Sequence, residues 1–236
     1  MQTVHGHEPS ERSDHPLTGA PRRPALFYLA LLAIWFALLA DAAWRIDVPV
    51  ARWVHDNQPL ADPLRRQLAS IARFPGFFQC TALIAIALWI FHRWRWRSAT
   101  FLALCGALSG ILVWALKWIL GRQRPRISGQ MNLDGVHDLE PFRGGLERLL
   151  TQKNLSLPSG DVCLAFATAA CLAMWFPRWR FALYAVALLV AAQRVLSNSH
   201  WVSDTIAAMG LGLLCVPLAR FLYVRLLPRA TRPWQP

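Results

Sequence analysis

Long apolar stretches constrain this chain more than any other feature of its sequence. Residues 25–44, ALFYLALLAIWFALLADAAW, are about long enough to cross the hydrocarbon core of a bilayer as one helix. Similar runs follow at 76–91, 99–116, 162–176, 181–197 and 205–227. The runs at 76–91 and 162–176 are short for a span and need their neutral neighbours to complete it. The six runs predict an all-α domain of six transmembrane helices.

The predicted domain organisation is a single membrane domain between two tails. Residues 1–24 are polar and contain prolines, which is typical of a disordered tail. Residues 25–227 contain the spans, and residues 228–236 form a short basic tail. Alternatively, the first run is a signal peptide, because Ala40-Asp41-Ala42 resembles a cleavage site. The polar stretch before the run is long for a signal peptide and favours a retained span.

The net charge of +12 points to a membrane surface rather than to nucleic acid. The short linkers HRWRWR (92–97) and PRWR (177–180) carry only basic charges, with tryptophans among them. Basic loops with aromatic anchors are typical of the cytoplasmic side of a membrane. Six spans would place both termini on that same side. The five cysteines all fall in apolar runs without metal-ligand spacing, so they are interpreted as small core residues.

Two longer connections are predicted on the opposite side of the membrane. In segment 45–75, Leu64, Leu68 and Ile71 recur at helical spacing opposite charged residues, which indicates an amphipathic helix. It would lie in the membrane interface or cap the spans. Segment 121–160 is unusually basic for this side, and an anionic ligand would explain its charge. Its basic residues are Arg122, Arg124, Arg126, Arg143, Arg148 and Lys153.

Polar residues cluster where four of the predicted spans begin or end. Because successive spans alternate in direction, the ends of the third and fifth spans and the starts of the fourth and sixth lie on one membrane face. Ionisable residues at such positions are energetically costly and usually functional. The residues concerned are Lys117, Arg124, Ser159, Gly160, Asp161, Arg194, His200 and Asp204.

This set of residues suits phosphoryl transfer. Lysine and arginine side chains neutralise phosphoryl oxygens, and backbone N–H groups at a helix N-terminus bind phosphate. A histidine oriented by a carboxylate is a competent nucleophile, and water would hydrolyse the resulting phosphohistidine. The cations would do the electrostatic work of a metal, so no cofactor is expected. His200, Asp204 and Asp161 could instead bind a metal, but the neighbouring cations disfavour that alternative.

These residues resemble the type 2 phosphatidic acid phosphatase (PAP2) superfamily, which is related to the vanadium haloperoxidases. The family pattern is K-x6-RP, then PSGH, then SR-x5-H-x3-D. The first part matches Lys117 and Arg124-Pro125. The second matches Pro158-Ser159-Gly160, with Asp161 in place of histidine. The third matches Arg194, His200 and Asp204 with the same spacing, although Gln193 replaces the serine.

The resemblance covers roughly residues 25–227 and implies a six-helix PAP2/haloperoxidase-type bundle. It implies that His200 is the nucleophile and Asp204 its orienting partner. Lys117, Arg124, Arg194 and the Ser159–Gly160 backbone would bind phosphate. The family acts on lipid phosphates and pyrophosphates, among them phosphatidate, phosphatidylglycerol phosphate, undecaprenyl pyrophosphate and lipid A. The site would face the periplasm from the bacterial inner membrane, with both termini cytoplasmic.

Asp161 departs from the family pattern, in which the histidine after PSG protonates the leaving oxygen. It could favour its helix N-terminus without any chemical role, or act as the general acid in a protonated state. It could also mark a substrate with a good leaving group, such as a pyrophosphate, that needs little protonation. His137, in the same long loop, is a further candidate acid.

Two other functions remain open from the sequence. A phosphotransferase of the same fold would pass the phosphoryl group to another lipid instead of water. A non-catalytic binder or transporter of lipid phosphates would have lost chemistry with the histidine, although His200 and Asp204 are retained. The sequence does not specify which lipid is the substrate or whether the protein forms oligomers.

Overall fold

Helices account for most of the chain in a computed structural model, which describes residues 23–92, 95–127, 130–133, 139–142, 145, 147, 151 and 154–226. Within these residues the helices are α1 (Arg23–Asn57), α2 (Pro63–Arg73), α3 (Phe78–Phe91), α4 (Arg95–Leu120), α5 (Gly160–Trp175), α6 (Arg180–Leu196) and α7 (Val202–Leu226). Short strands β1 (Arg126–Ile127) and β2 (Gln130–Met131) pair antiparallel after α4. Residues 1–22 and 227–236, which hold nearly all of the predicted tails, lie outside the described residues.

All six apolar runs are helical, which confirms the prediction of a mostly helical domain. In the described part of the chain, α1, α4, α6 and α7 are long and apolar enough to cross a membrane. Helix α2 with its following turn and α3 form a pair bent by 56°, which is a fifth candidate span. Helix α5 is apolar but has only 16 residues, short for a bilayer. Six complete spans therefore remain a prediction.

The segment between the first two runs contains the predicted amphipathic helix. The side chain of Asp62 caps α2 by accepting hydrogen bonds from the backbone N–H groups of Leu64 and Arg65. Leu64, Leu68 and Ile71 are each more than half exposed, as a helix in the membrane interface requires. Helix α2 also lies against α6. Its C-terminal residue, Arg73, lies beside Asp161 at the start of α5.

Helix α1 is longer than its apolar run and continues to Asn57 instead of ending near residue 44. The extension is stabilised by packing, because Ala51 lies in a buried cluster with Trp201 and Val54 is also buried. It is further held by Asp47, which is fully buried and paired with Arg122.

Close helix packing places α5 at the centre of the bundle. Helix α7 lies between α1 and α5, and glycines permit the close approach on both sides. A Cβ atom on Gly210 would lie 2.5 Å from Cβ of Phe36 in α1. A Cβ atom on Gly212 would lie 2.4 Å from the carbonyl oxygen of Cys163 in α5. A side chain at Gly210 would therefore push α1 away from α7, and a side chain at Gly212 would push α5 away from it.

The two ends of α5 differ in their surroundings. At its C-terminal end, the His92 ring lies 5.7 Å from the Trp175 ring and 5.8 Å from the Phe176 ring. This end adjoins the basic linkers. The opposite end, at Gly160, adjoins the ends of α4 and α6 and the start of α7. The basic linkers and the candidate site residues therefore lie at opposite ends of the bundle.

Candidate active site

The N-terminus of α5 is the centre of the candidate site. Ser159 is the N-cap of the helix and Gly160 its first residue. The backbone N–H of Ser159 donates to the carbonyl oxygen of Asp204 in the first turn of α7, at 3.4 Å. Lys117 lies in the last turn of α4 and Arg194 in the last turn of α6. The four helix ends that were expected on one face thus meet around the Ser159–Gly160 backbone.

Three cations surround this helix terminus. Lys117 and Arg194 are buried, with 8% and 5% of their surface exposed. The Lys117 ammonium lies within electrostatic range of Arg124, Arg194, Asp161 and Asp204. The guanidinium Nε of Arg124 donates to the carbonyl oxygen of Leu155 at 3.3 Å. Together with the positive end of the α5 dipole, these cations form an anion-binding environment.

One buried polar atom of this cluster, the hydroxyl oxygen of Ser159, has no hydrogen-bond partner among the described residues. Nε of Arg194 makes no hydrogen bond of good geometry within this part of the chain either, although it lies 3.3 Å from Oδ2 of Asp161. An unpaired buried polar group costs about 1–3 kcal/mol, so native structures usually satisfy such groups. Both can donate hydrogen bonds and both lie at a helix N-terminus with excess positive charge. A bound phosphoryl group would satisfy them.

His200 lies beside the cations with only 3% of its surface exposed. Its Nδ1 atom is 3.7 Å from Oδ2 of Asp204, which is too long for a direct hydrogen bond. The hydroxyl of Ser156 lies 3.4 Å from Nδ1 and donates to the same Asp204 oxygen. Nδ1 therefore faces the Ser156–Asp204 pair, which leaves Nε2 on the other side of the ring for chemistry.

The surroundings of His200 favour the neutral imidazole. Burial and the positive charges of Lys117 and Arg194 together lower the pKa of His200 to about 4. The interaction with Asp204 acts in the opposite direction and does not outweigh burial. Near neutral pH, His200 therefore carries a free lone pair, as a nucleophile requires.

Asp204 is held by a buried network that the sequence did not reveal. Arg122 is fully buried, and its Nη1 lies 2.6 Å from Oδ1 of Asp204. Its Nη2 lies 2.8 Å from Oδ2 of Asp47 in α1. The Arg122 guanidinium also stacks on the Trp44 ring, with 3.8 Å to the ring centre. One arginine thereby joins α1, the end of α4 and α7 behind the histidine.

Ser203 completes this network. Its hydroxyl accepts a hydrogen bond from Nη1 of Arg122 at 2.7 Å and donates to Asp47. Its backbone N–H also donates to Asp47, at 2.9 Å. The sequence signals available were Asp47, three residues after the first apolar run, and Arg122, the first arginine of GRQRPR. An ionisable residue at membrane depth calls for a partner, and these two residues satisfy each other.

Asp161 pairs with two arginines. Nε of Arg73, at the end of α2, donates to Oδ2 of Asp161 at 2.7 Å. Nε of Arg194 lies 3.3 Å from the same oxygen. Gly76 permits this approach, because a Cβ atom there would lie 2.8 Å from the backbone oxygen of Asp161. Asp161 therefore ties the amphipathic helix to the cation cluster, and Arg73 joins the site from a segment without a recognised motif.

Some residues singled out in the sequence lie outside the described part of the chain. Arg143, Arg148 and Lys153 of the long loop are among them. His137, the alternative acid, is another.

The family assignment rests on comparison with known proteins. The model of the PAP2 superfamily matches residues 98–227, more than half of the chain. This region contains Lys117, Arg124, Ser159, Arg194 and His200.

The chain belongs to the PAP2 superfamily.

Curated PAP2 relatives add detail. The lipid A 1-phosphatases of Rhizobium etli and Rhizobium johnstonii are each 32% identical to this chain over 117 residues, half of its length. The match spans 47% and 44% of those two proteins, so it covers about half of each relative.

Two solved PAP2 structures share the fold. LpxE of Aquifex aeolicus gives a TM-score of 0.56 at 21% identity, covering 75% of this chain and 95% of that protein. The PAP2-type phosphatidylglycerolphosphate phosphatase of Bacillus subtilis gives 0.58 at 19% identity, covering 88% and 98%. At these identities the likeness concerns the helical architecture alone.

Proposed function

We propose that this PAP2 protein is an integral membrane phosphatase that acts on a lipid phosphate or lipid pyrophosphate through a phosphohistidine at His200. The observation that carries the proposal is His200, neutral and with Nδ1 facing the Ser156–Asp204 pair, beside the buried Ser159 hydroxyl and the Arg194 guanidinium at a helix N-terminus. The similarity to lipid A 1-phosphatases supports a lipid substrate. Phosphate release from such lipids by purified protein, without added metal, tests the proposal.

The proposed reaction has two displacement steps. Nε2 of His200 attacks phosphorus, the bond between phosphorus and the lipid-side oxygen breaks, and the lipid leaves with that electron pair. Water then attacks the phosphohistidine, which releases inorganic phosphate and restores the imidazole. Lys117, Arg124, Arg194 and the Ser159–Gly160 backbone would stabilise charge on the phosphoryl oxygens in both steps. Asp204 would stabilise positive charge on the ring, and the Ser156 hydroxyl that donates to Asp204 would accept from Nδ1–H and so fix the tautomer.

The phosphotransferase and the non-catalytic binder remain the alternatives. In a phosphotransferase, a lipid acceptor would replace water in the second displacement, and an acceptor-trapping assay separates this reaction from hydrolysis. Turnover of any lipid phosphate would exclude the non-catalytic binder.

The proposed orientation places the site on the periplasmic face of the bacterial inner membrane, with six spans and cytoplasmic termini. The basic linkers at the opposite end of the bundle support it. The exposed apolar face of α2 supports an interfacial position for that helix.

We propose that Asp161 is a positioning residue and not the general acid. Oδ2 of Asp161 is held between the guanidinium groups of Arg73 and Arg194, which favours a role in positioning those two side chains. Its role would be to hold Arg73 and Arg194 at the phosphate site. A leaving group of low basicity, or a proton delivered by water, would then complete the first step.

Asp161→Asn tests that role. We expect Asp161→Asn to change kcat/KM for a lipid monophosphate and for a lipid pyrophosphate by factors that agree within about threefold. This variant acts through the arginines alone, and both substrates use those arginines. Arg73→Ala should give the same pattern. Loss of a general acid would instead lower the monophosphate rate by about 10²–10⁴-fold and spare the pyrophosphate. Asp56→Asn, at an exposed position of α1, is the charge control.

The pH profile tests the state of His200. The neutral ring is the nucleophile and its pKa in the folded protein is about 4, so kcat/KM should fall only as the pH drops through about 4. A protein with an ordinary histidine would lose activity near 6.5. The unfolded chain takes up this proton first, so stability should decrease as the pH falls from about 6.5 toward 4. A fall in kcat/KM as the pH drops through about 6.5 would contradict the lowered pKa of His200.

A further inference from the structure

Asp161 places a negative charge inside the site proposed for a phosphoryl group. It lies in the first turn of α5, directly after the Ser159–Gly160 backbone. Its carboxylate electrostatically attracts the three cations proposed to bind phosphate, which are Lys117, Arg124 and Arg194. A bound phosphoryl group and Asp161 would therefore interact with the same positive charges.

The two arginine contacts of Asp161 differ in geometry. Nε of Arg73 donates to Oδ2 of Asp161 at 2.7 Å, which is a short, charge-assisted hydrogen bond. Nε of Arg194 lies 3.3 Å from the same oxygen, but it makes no hydrogen bond of good geometry within the described part of the chain. The contact with Arg73 is therefore the stronger one, and the contact with Arg194 is the one that a ligand can replace.

Nε of Arg194 carries a single N–H, so it can donate a well-aligned hydrogen bond to one acceptor at a time. A phosphoryl oxygen bound to this atom at about 2.9 Å would lie at most about 6 Å from Oδ2 of Asp161. This separation is shorter than the screening length of about 8 Å at physiological ionic strength, so the two negative charges would repel each other. A phosphoryl group that binds Arg194 thus displaces Asp161 and is still opposed by its charge.

The second carboxylate near these cations, Asp204, is bound differently. Both of its oxygens accept hydrogen bonds: Oδ1 accepts from Nη1 of Arg122 at 2.6 Å, and Oδ2 accepts from the backbone N–H of Trp201 at 3.0 Å. Among the residues that the structure describes, Asp161 accepts a side-chain hydrogen bond from Arg73 alone, through Oδ2. The charge of Asp161 is therefore less fully compensated than that of Asp204, and it is the charge that a phosphoryl group meets.

We propose that Asp161 is an internal anion that competes with the phosphoryl group for Arg194 and so limits the affinity of the site for inorganic phosphate. Several cations at a helix N-terminus would otherwise retain this anionic product, and slow product release limits turnover. The inference rests on the proposed phosphatase function and specifies how the same site releases its product. It adds to the positioning role of Asp161, because the carboxylate that orients Arg194 also has to give it up.

The direct test is calorimetric binding of inorganic phosphate to the full chain in a neutral detergent. We expect Asp161→Asn to bind phosphate about 10-fold more tightly than the wild type, because asparagine keeps an oxygen acceptor for Arg73 and lacks the charge. A role in arginine positioning alone would instead weaken binding, so the direction of the change separates the two roles. Asp56→Asn, at an exposed position of α1, should bind phosphate within about twofold of the wild type.

A second pair of variants tests the balance between Asp161 and Arg73. Arg73→Ala removes the cation that compensates Asp161, so phosphate should bind about 10-fold more weakly than to the wild type. Adding Asp161→Asn to Arg73→Ala should restore most of the lost affinity, because the uncompensated carboxylate is then absent. If Asp161 acted only by holding Arg73, the double variant would bind phosphate as weakly as Arg73→Ala does, and the inference would be wrong.

Product inhibition gives a second readout and separates product from substrate. During hydrolysis of a lipid phosphate, inorganic phosphate should inhibit Asp161→Asn at a concentration about 10-fold lower than it inhibits the wild type, in line with the tighter binding. The KM for the lipid phosphate should fall in the same variant, since substrate and product use the same arginine. A lower KM with unchanged inhibition by inorganic phosphate would show that Asp161 acts on the lipid and not on the product, which would overturn the inference.

Because phosphate binding needs no turnover, calorimetry distinguishes failure of the inference from failure of the proposed function. If the wild type hydrolyses no lipid phosphate but Asp161→Asn binds inorganic phosphate more tightly, the proposed function is wrong and the role of Asp161 as an internal anion is supported. If the wild type hydrolyses lipid phosphates and Asp161→Asn binds inorganic phosphate no more tightly than the wild type, the inference alone is wrong.

Discussion

Replacing His200 with asparagine is expected to lower kcat/KM for a lipid phosphate by about 10⁴-fold or more, because the variant lacks the nucleophile. Asparagine retains much of the size and polarity of the ring, so the cations around Ser159 should remain in place. The measurement is inorganic phosphate release from detergent-solubilised lipid phosphate in the presence of a chelator. Thermal unfolding of both proteins should confirm that the variant is folded.

The matched control is His92→Asn. His92 is a histidine at the opposite end of the bundle, where its Nδ1 lies 2.7 Å from the Ser98 hydroxyl. It should retain phosphate release within about twofold. If His200→Asn also retains wild-type release, the assignment of the nucleophile is wrong.

Replacing Arg122 with methionine is expected to destabilise the protein by about 3–5 kcal/mol, the usual cost of breaking a buried ion pair. Arg122, Asp47 and Asp204 have fully buried side chains, so the variant leaves two carboxylates without their cation. Phosphate release should also fall, because Asp204 loses the group that holds it behind His200. Thermal unfolding in detergent and phosphate release are measured together.

Adding Asp47→Asn to Arg122→Met separates the effect of Asp47 on stability from the effect of Asp204 on activity. The double variant should recover part of the lost stability, because one uncompensated charge is removed. It should recover little activity, since Asp204 still lacks Arg122. Arg52→Met, at an exposed position on α1, should change stability by less than about 0.5 kcal/mol. A loss below 1 kcal/mol in Arg122→Met would contradict the role of the network.

The fold was largely predictable because apolar runs report directly on membrane helices. Both the six helical runs and the amphipathic segment follow from hydropathy and periodicity. The end of α1 at Asn57 was not predictable, since residues 45–57 are amphipathic and are stabilised by tertiary contacts such as that of Ala51 with Trp201. Helix α5, with 16 residues, shows that composition alone does not define a span.

The candidate site was predictable where residues fall at helix ends, because alternation of direction brings those ends together. This covers Lys117, Ser159, Arg194 and His200. The supporting residues were not predictable, because their pairing depends on side-chain contacts between segments remote in sequence. Asp47 and Arg122 are 75 residues apart, and Arg73 and Asp161 are 88 apart.

Asp161 shows the difference most clearly. From the sequence, a carboxylate at a phosphate-binding helix terminus had three possible explanations. The contact with Arg73 adds a fourth, since it joins helix α2 to the site. This role depends on the packing of α2 beside the start of α5, which the sequence does not show.

The most direct test of the central claim is to trap the covalent intermediate. Purified protein is mixed with lipid phosphate labelled at phosphorus, in chelator, and quenched in alkali within the first turnover, since phosphohistidine survives alkali and decays in acid. We expect acid-labile label on the wild-type protein, mapped to His200, and none on His200→Asn. Release of labelled inorganic phosphate during the first turnover, with no label on the protein at any time, would contradict a phosphohistidine at His200.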